Sequence, residues 1–219
     1  MLFSSNKLSL LPQDLLIKTG PVDHADWNYK KGLLGMIQRQ RFKLCLSMMA
    51  GSKHEKMLEV GYGSGVFFPE LSKYANEIYG IDIHEHHYAV KETLSNNGIH
   101  SHLFSGSAEE LPFDSHYFDA IVAISALEFI PDLMKACKEI SRVITAQGRF
   151  YIITPGKSPI VDMGFTLLTG KSVKEDFEDR RQRIVPTLLE FFEIRKHITF
   201  PTYGSKIICL YDAFELQKK

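Results

Sequence analysis

Three glycines and one acidic residue form the pattern in this sequence that most clearly indicates chemistry. The glycines lie in the segment Glu59-Val-Gly-Tyr-Gly-Ser-Gly65, and Asp82 follows 21 residues after Gly61, at the end of the next apolar run. Glycine lets the backbone turn sharply and lets a ligand approach where any Cβ would clash. A carboxylate at the end of the neighbouring strand can accept the two hydroxyl groups of a ribose. The pattern therefore predicts a crevice that binds a nucleoside.

The spacing of the glycines indicates which kind of nucleotide fits. A dinucleotide fingerprint reads G-x-G-x-x-G, and Val66 stands at its last position here. A phosphate-binding loop needs a lysine after its last glycine, and none follows Gly65. The loop suits a nucleoside that carries an amino-acid tail better than one that carries phosphates. A nicotinamide-dependent oxidoreductase remains an alternative.

Further motifs follow the crevice residues in a fixed order. They are Gly106-Ser-Ala-Glu-Glu-Leu-Pro-Phe113, Tyr117-Phe-Asp119 and Arg142-Val143. Together with the glycines and the acidic residue, this series resembles the class I S-adenosylmethionine-dependent methyltransferases. Within that class it is most similar to the type 11 group, which includes ubiquinone- and menaquinone-biosynthesis-like enzymes. The resemblance covers roughly residues 55 to 155.

The resemblance implies a cofactor, S-adenosylmethionine, and a set of residues that bind it. The glycines would approach the methionine part by their backbone, Glu59 would organise the loop and the ammonium end, and Asp82 would bind the ribose. Ile83 would lie against the adenine, and Ser125 would line the open side. The complete implied set is Glu59, Gly61, Tyr62, Gly63, Gly65, Asp82, Ile83, Ser107, Ala108, Glu109 and Ser125.

Two positions depart from the family pattern. Ser107 stands where an aspartate often contacts the adenine amino group, so that contact can pass to the backbone of Ala108 or to Glu109. Phe129 stands where a histidine commonly follows the fourth strand. No general base is evident, and the catalytic residues stay unassigned. We expect direct in-line methyl transfer to a small, partly apolar molecule, with a non-catalytic, regulatory S-adenosylmethionine-binding protein as a further alternative.

The order of apolar runs along the chain predicts the elements that position these residues. β-rich runs and helical patterns alternate, which indicates right-handed βαβ crossovers. We predict an α/β fold: a doubly wound, Rossmann-like, mostly parallel seven-stranded sheet with helices on both faces and an antiparallel C-terminal hairpin. The predicted strands are 56–60, 77–82, 100–104, 118–124, 149–153, 193–200 and 206–211, and the predicted helices are 66–74, 86–96 and 133–144.

Two segments outside this core are candidates for the methyl-acceptor site. We interpret residues 1–219 as a single methyltransferase domain with a helical lid extension at 1–50 and a substrate-side insert at 156–190. In the extension, Leu33, Ile37, Leu44 and Met48 share a helical spacing. The basic residues of that region predict a solvated face or a transient contact with anionic lipid. They are Lys30, Lys31, Arg39, Arg41 and Lys43.

Composition excludes several other classes of protein. The 219 residues carry 26 Lys and Arg against 26 Asp and Glu, so the basic excess of a nucleic-acid-coating protein is missing. The three cysteines are far apart, which argues against a disulfide framework. The histidines near His84 lack the spacing of a metal site, and they predict a solvated helix start. No stretch is long enough to span a membrane, and a cytoplasmic location is expected.

Overall fold

One seven-stranded sheet organises the part of the chain that the computed structural model describes, which comprises residues 8–20, 25–156, 175–202, 204 and 208–219. The strand order is β3-β2-β1-β4-β5-β7-β6. The strands are His54–Val60 (β1), Ala75–Asp82 (β2), His102–Ser105 (β3), Phe118–Ile124 (β4), Ile144–Pro155 (β5), Phe192–Phe200 (β6) and Tyr211–Lys218 (β7).

The direction of the strands confirms the predicted doubly wound topology. Strands β1 to β5 pair in parallel, whereas β7 runs antiparallel to both β5 and β6. The last strand was wrongly placed by the sequence pattern, which put it at 206–211 instead of Tyr211–Lys218. Apolar and polar residues do not alternate regularly in the sequence 206–218. Pairing with β5 therefore decides which of these residues join the sheet. The carboxyl ends of β1, β2 and β4 share one edge.

Helices cover both faces of the sheet. The α-helices are Leu33–Met48 (α1), Phe68–Leu71 (α2), His87–Asn96 (α3), Leu133–Val143 (α4) and Glu175–Phe191 (α5), and single 3-10 turns occur at Gln13–Leu15, Ala25–Tyr29 and Leu127–Phe129. One core joins Phe42 of α1 and Phe67 to Met57 of β1. The second core joins Ile140 of α4 and Leu188 of α5 to the opposite face. Among the described residues, no helix combines the length and the apolarity needed to cross a bilayer.

Helix α2 is shorter than the predicted helix over 66–74. The left-handed Gly65 (φ 72°) belongs to the glycine turn, and the amide of Phe68, the first helical residue, donates to its carbonyl at 3.1 Å. At the other end, Tyr74 accepts a hydrogen bond from the amide of His54, which draws the chain into the sheet. Sheet pairing therefore limits α2 to Phe68–Leu71.

Helix α1 is part of the main core. Phe42 stacks on Phe67 with 4.4 Å between ring centroids, and Leu44 and Met48 are buried as predicted. The expectation that Leu33 shares this apolar face is wrong, because 65% of Leu33 is exposed at the start of the helix.

Arg142 links the motif loop before β4 to helix α4. It makes a bidentate ion pair with Glu139 (2.8 and 2.7 Å) and donates to the carbonyls of Phe113 and Leu111. The same carboxylate accepts the amide of Leu111 at 3.0 Å. The hydrogen bond from Arg142 is the main cause that lowers the pKa of the Glu139 carboxyl. This network holds the loop that carries Ser107 to Glu109.

Acid should therefore weaken the fold through Glu139. Since the folded-state pKa lies below the unfolded value of about 4.3, the stabilisation is complete above that pH and is lost as the pH falls through the folded value. We expect Glu139→Gln to lower the melting temperature at pH 7 and to reduce its fall on acidification. The exposed neighbour variant Glu110→Gln should keep the wild-type pH dependence. Identical pH profiles for Glu139→Gln and wild type would contradict this assignment.

Asp119, in β4, forms hydrogen bonds with the start of β1. Its carboxylate accepts the amides of Lys56 (2.7 Å) and Glu55 (3.0 Å) and lies 3.3 Å from Nδ1 of His54. These bonds replace the backbone ladder, which between β1 and β4 begins only at Met57.

Asp119→Ala should lower the free energy of unfolding by about 1–2 kcal/mol, because two backbone amides lose their acceptor. Urea unfolding followed by circular dichroism measures the change. Glu92→Ala, on the exposed side of α3, is the matched control and should stay within about 0.5 kcal/mol of wild type. An equal effect of the two substitutions would refute the role of Asp119.

Candidate active site

The glycine turn at the end of β1 has the geometry that the sequence predicted for it. Gly61, Gly63 and Gly65 all have positive φ, at 76°, 53° and 72°. A Cβ on Gly61 would come within 2.6 Å of the Cβ of Ala126, so a side chain at this position is excluded by space as well as by conformation. Gly61 itself is exposed, which leaves its backbone open to a ligand.

Asp82 lies beside the turn, as predicted. Its Oδ2 accepts the amide of Gly63 at 2.8 Å, and its side chain is 16% exposed. The carboxylate therefore fixes the middle of the turn while its other oxygen, Oδ1, receives only a long contact of 3.4 Å from the amide of His84.

His84 closes the turn from the other side, which the sequence prediction of a solvated histidine cluster missed. Its Nε2 lies 2.9 Å from the carbonyl oxygen of Gly63, and its Nδ1 accepts the amide of His86 at 3.1 Å. This pattern assigns the neutral tautomer with the proton on Nε2. The ring also packs edge-on against Tyr62, with 4.9 Å between centroids. The signal for this contact was the position two residues after Asp82, not the number of histidines.

Glu59 is a buried carboxyl beneath the same turn. It is 4% exposed, and its Oε2 has no hydrogen-bond partner among the described residues. Burial, followed by the charge of Asp82, raises the pKa of the Glu59 carboxyl well above its ordinary value, while Arg41 lowers it. A buried carboxyl with an unused oxygen is available for a cationic or hydrogen-bond-donating ligand.

The end of β2 and the loop after β3 supply the remaining predicted residues. Ile83 exposes 79% of its surface directly after Asp82, an unusual position for a large aliphatic side chain. The amide of Gly106 donates to the carbonyl of Asp82 at 2.8 Å, which brings this loop next to Ile83. Ser107 Oγ accepts the amide of Glu109 at 3.1 Å.

Ala108 and Glu109 have structural contacts as well. Ala108 is buried in the second core, so only its backbone can reach a ligand. One oxygen of Glu109 accepts the amide of Asp132 at 2.9 Å, immediately before α4. This bond leaves the other oxygen of Glu109 for a further contact.

The segment after β4 forms the facing wall. Ser125 is half-buried and adopts a left-handed backbone (φ 51°), which is uncommon outside glycine. Its amide donates to the carbonyl of Ile153 at 2.7 Å, which holds the strained residue in place. Backbone strain of this kind clusters at functional sites.

The N-terminal segment lies against the glycine turn. The amide of Leu11 donates to the carbonyl of Val66 at 3.0 Å, and the Leu11 side chain is buried in the main core. Thr19 Oγ1 would lie 3.9 Å from a Cβ built on Gly63. The segment therefore borders the crevice.

These features fit an adenosyl group with an amino-acid tail. A bare main-chain turn, a carboxylate and an exposed aliphatic residue meet at one edge of the sheet, and a buried carboxyl with an unused oxygen lies below the turn. Three of the five residues from Gly61 to Gly65 are glycines with a positive φ. Because they carry no side chain, a ligand can come into close contact with their backbone.

The sequence and fold are similar to those of known methyltransferases. Residues 58–152 match the family described as "Methyltransferase domain". An uncharacterized methyltransferase of Bacillus subtilis, YcgJ, is 30% identical over 111 residues, which make up 49% of this chain and 44% of the relative. A demethylmenaquinone methyltransferase of Staphylococcus carnosus is 30% identical over 130 residues, 57% of this chain and 54% of the relative. The chain thus spans about half the length of these curated relatives.

A solved structure extends the similarity to the whole fold. The N-methyltransferase NodS of Bradyrhizobium japonicum, crystallised with S-adenosyl-L-homocysteine, superposes with a TM-score of 0.60 at 15% identity, covering 89% of this chain and 93% of NodS. At this identity the likeness establishes the fold. The matched segment 58–152 contains the glycine turn, Asp82 and every later motif of the series. The similarity to the methyltransferase domain therefore lies in the segment that carries these motifs.

Proposed function

We propose that this protein is an S-adenosylmethionine-dependent methyltransferase that methylates a small molecule. The observation that carries the proposal is the left-handed glycine turn joined to Asp82 by the bond from the Gly63 amide, at the edge where β1, β2 and β4 end. Ligands of open α/β sheets bind at this edge. The match of residues 58–152 to the methyltransferase domain supports the same conclusion.

Each predicted site residue has a proposed role in holding the cofactor. Gly61 and Gly63 offer their backbone to the methionine part, with Glu59 near the ammonium group, and Asp82 offers Oδ1 to the ribose. Ile83 covers one side of the adenine. The other contacts come from Tyr62, Gly65, Ser107, Ala108, Glu109 and Ser125.

Methyl transfer requires the protein mainly to align the acceptor with the methyl group of the cofactor. When bound, S-adenosylmethionine supplies an electrophilic methyl group on a positively charged sulfur. Alignment of a nucleophile with that methyl and exclusion of water can lower the barrier by about 7 kcal/mol or more. The segment around Leu11 and Thr19 borders the glycine turn, and we propose it as part of a lid over residues 1–50. The proposed acceptor-side insert, 156–190, lies largely outside the described residues apart from α5.

An exposed basic and apolar patch favours a transient contact with anionic lipid. Lys30 and Lys31 are exposed directly before Leu33, Leu34 and Met36, which expose 65%, 43% and 52% of their surface. Of the other basic residues predicted to contribute, Arg39 donates to the carbonyl of Asn28 and Arg41 is half-buried. Lys43 is exposed, but its neighbours Phe42 and Leu44 are buried, so it has no exposed apolar side chain next to it in the sequence. We therefore propose that only the start of α1 contacts lipid, through the two lysines and the adjacent apolar side chains.

S-adenosyl-L-homocysteine should stabilise the protein. At a hundred times Kd a ligand adds about 2.7 kcal/mol, which corresponds to several degrees in the melting temperature at this size. Asp82→Ala should remove most of the shift, because the turn and the ribose lose their acceptor. The exposed neighbour His86→Ala should keep it, because the hydrogen bond to the site residue His84 comes from the His86 backbone, which the substitution retains. Differential scanning fluorimetry measures all three proteins.

Two further readouts separate the alternatives. A shift with NAD(H) and none with S-adenosyl-L-homocysteine would identify an oxidoreductase. Transfer of a radiolabelled methyl group into the small-molecule fraction of a cell extract distinguishes an enzyme from a non-catalytic binding protein, which would show the thermal shift and label nothing.

The lipid contact should depend on charge. We expect sedimentation with phosphatidylserine-containing vesicles to exceed that with pure phosphatidylcholine vesicles and to weaken with salt. Lys30→Glu with Lys31→Glu should reduce binding more than about tenfold, since each basic residue near such a surface contributes about 1 kcal/mol. Lys135→Glu with Lys138→Glu, on exposed positions of α4, is the charge-matched control. Equal loss in both double variants would refute a specific patch.

A further inference from the structure

Glu128 carries a carboxyl group that is buried in the fold. It lies in the 3-10 turn Leu127–Phe129 after β4 and is 1% exposed. Neither of its side-chain oxygens has a hydrogen-bond partner among the described residues. The equally buried Glu70 shows the usual arrangement, because one of its oxygens accepts the amide of Ser9 and the other accepts Lys73 Nζ at 3.1 Å.

The groups that face Glu128 come from three other elements. The backbone of Glu128 itself, Arg41 of α1 and Arg181 of α5 lower the pKa of its carboxyl. Burial raises the pKa of Tyr211 at the start of β7, and the charge of Glu128 raises it further. Burial nevertheless dominates and raises the pKa of Glu128 to about 7. Arg41 also acts on Glu59 beneath the glycine turn. Glu128 therefore belongs to the same polar region as the proposed cofactor site.

Glu128 comes shortly after the residues that border the glycine turn. Ala126, two residues earlier, limits the space over Gly61, where a Cβ would approach it to 2.6 Å. The strained Ser125 comes directly before Ala126. The chain therefore runs from the wall of the crevice straight to Glu128, and α5 packs against this turn.

A buried carboxylate without hydrogen bonds is costly, and a ligand that brings donors would remove that cost. We propose, on the basis of the methyltransferase function above, that Glu128 binds the donor group of the methyl acceptor and that the acceptor is a molecule with a hydroxyl or amine nucleophile. Its oxygen or nitrogen forms a bond to the methyl carbon while the carbon–sulfur bond breaks and leaves its electron pair on sulfur. The proton of the hydroxyl or amine passes to the Glu128 carboxylate, which releases it to water after the product leaves.

The stability of two matched variants separates this role from a structural one. Glu128→Gln should leave the melting temperature of the ligand-free protein unchanged or higher, because it removes a buried charge whose oxygens accept no hydrogen bond from another described residue. Glu70→Gln should lower it by several degrees, because Glu70 holds Ser9 and Lys73. A loss in Glu128→Gln as large as that in Glu70→Gln would show that Glu128 is a structural ion-pair residue, and would overturn the proposal.

Activity provides the second test, with the small-molecule fraction of a cell extract as the probe. Glu128→Gln should lower label transfer about 100-fold or more at pH 7 and remove the rise in rate with pH around neutrality, as expected for loss of a general base. Glu92→Gln, on the exposed side of α3, should keep both. Unchanged transfer or an unchanged pH profile in Glu128→Gln would overturn the assignment.

The product identifies the acceptor class. With a 13C-labelled methyl donor, carbon–proton NMR distinguishes methyl groups on oxygen or nitrogen from those on carbon or sulfur, and the latter would overturn the proposed class. The thermal shift with S-adenosyl-L-homocysteine should be retained in Glu128→Gln. If wild type shows neither that shift nor label transfer, the methyltransferase function itself fails; if it shows both and the variants behave alike, only the role of Glu128 fails.

Discussion

The left-handed turn between β1 and α2 is the constraint on which the rest of the site depends. Gly61 must lack a side chain because Ala126 occupies the space, and Gly63 is held between the Asp82 carboxylate and the His84 ring. These contacts join the ends of β1, β2 and β4 at one point. A nucleoside can approach bare backbone there only because no side chain of the turn intervenes.

Charge is concentrated behind this turn. Glu59 and Glu128 are both almost fully buried, and Arg41 of α1 acts on each of them. Arg181 of α5 approaches the second carboxyl from another side. Interiors tolerate such groups when they are paired or when a ligand completes them. Helices α1 and α5 therefore do more than cover the sheet. Their residues Arg41 and Arg181 supply positive charge that stabilises the ionised form of the buried carboxyls.

Much of the fold, and the contact between the glycine turn and Asp82, was predictable from local signals. Phe118–Ile124 is apolar on both faces and was predicted with its observed bounds, and the glycines and Asp82 lie together because parallel strands end at a common edge. The position of β7 was not predictable, since its register depends on pairing with β5. The buried state of His84 also depended on contacts with Gly63 and Tyr62, which no pattern of neighbouring residues contains.

The sequence by itself determined the order of strands and helices, the glycine turn and the acid opposite it, because backbone conformation and strand periodicity are local properties of the chain. Only the tertiary structure decided which polar residues lose water. Arg41 belongs to a basic helix that looked solvated, yet it is half-buried, and Glu128 lies in a short turn after β4, yet it is almost fully buried. Burial is set by residues far apart in sequence, and it gives these two side chains their chemistry.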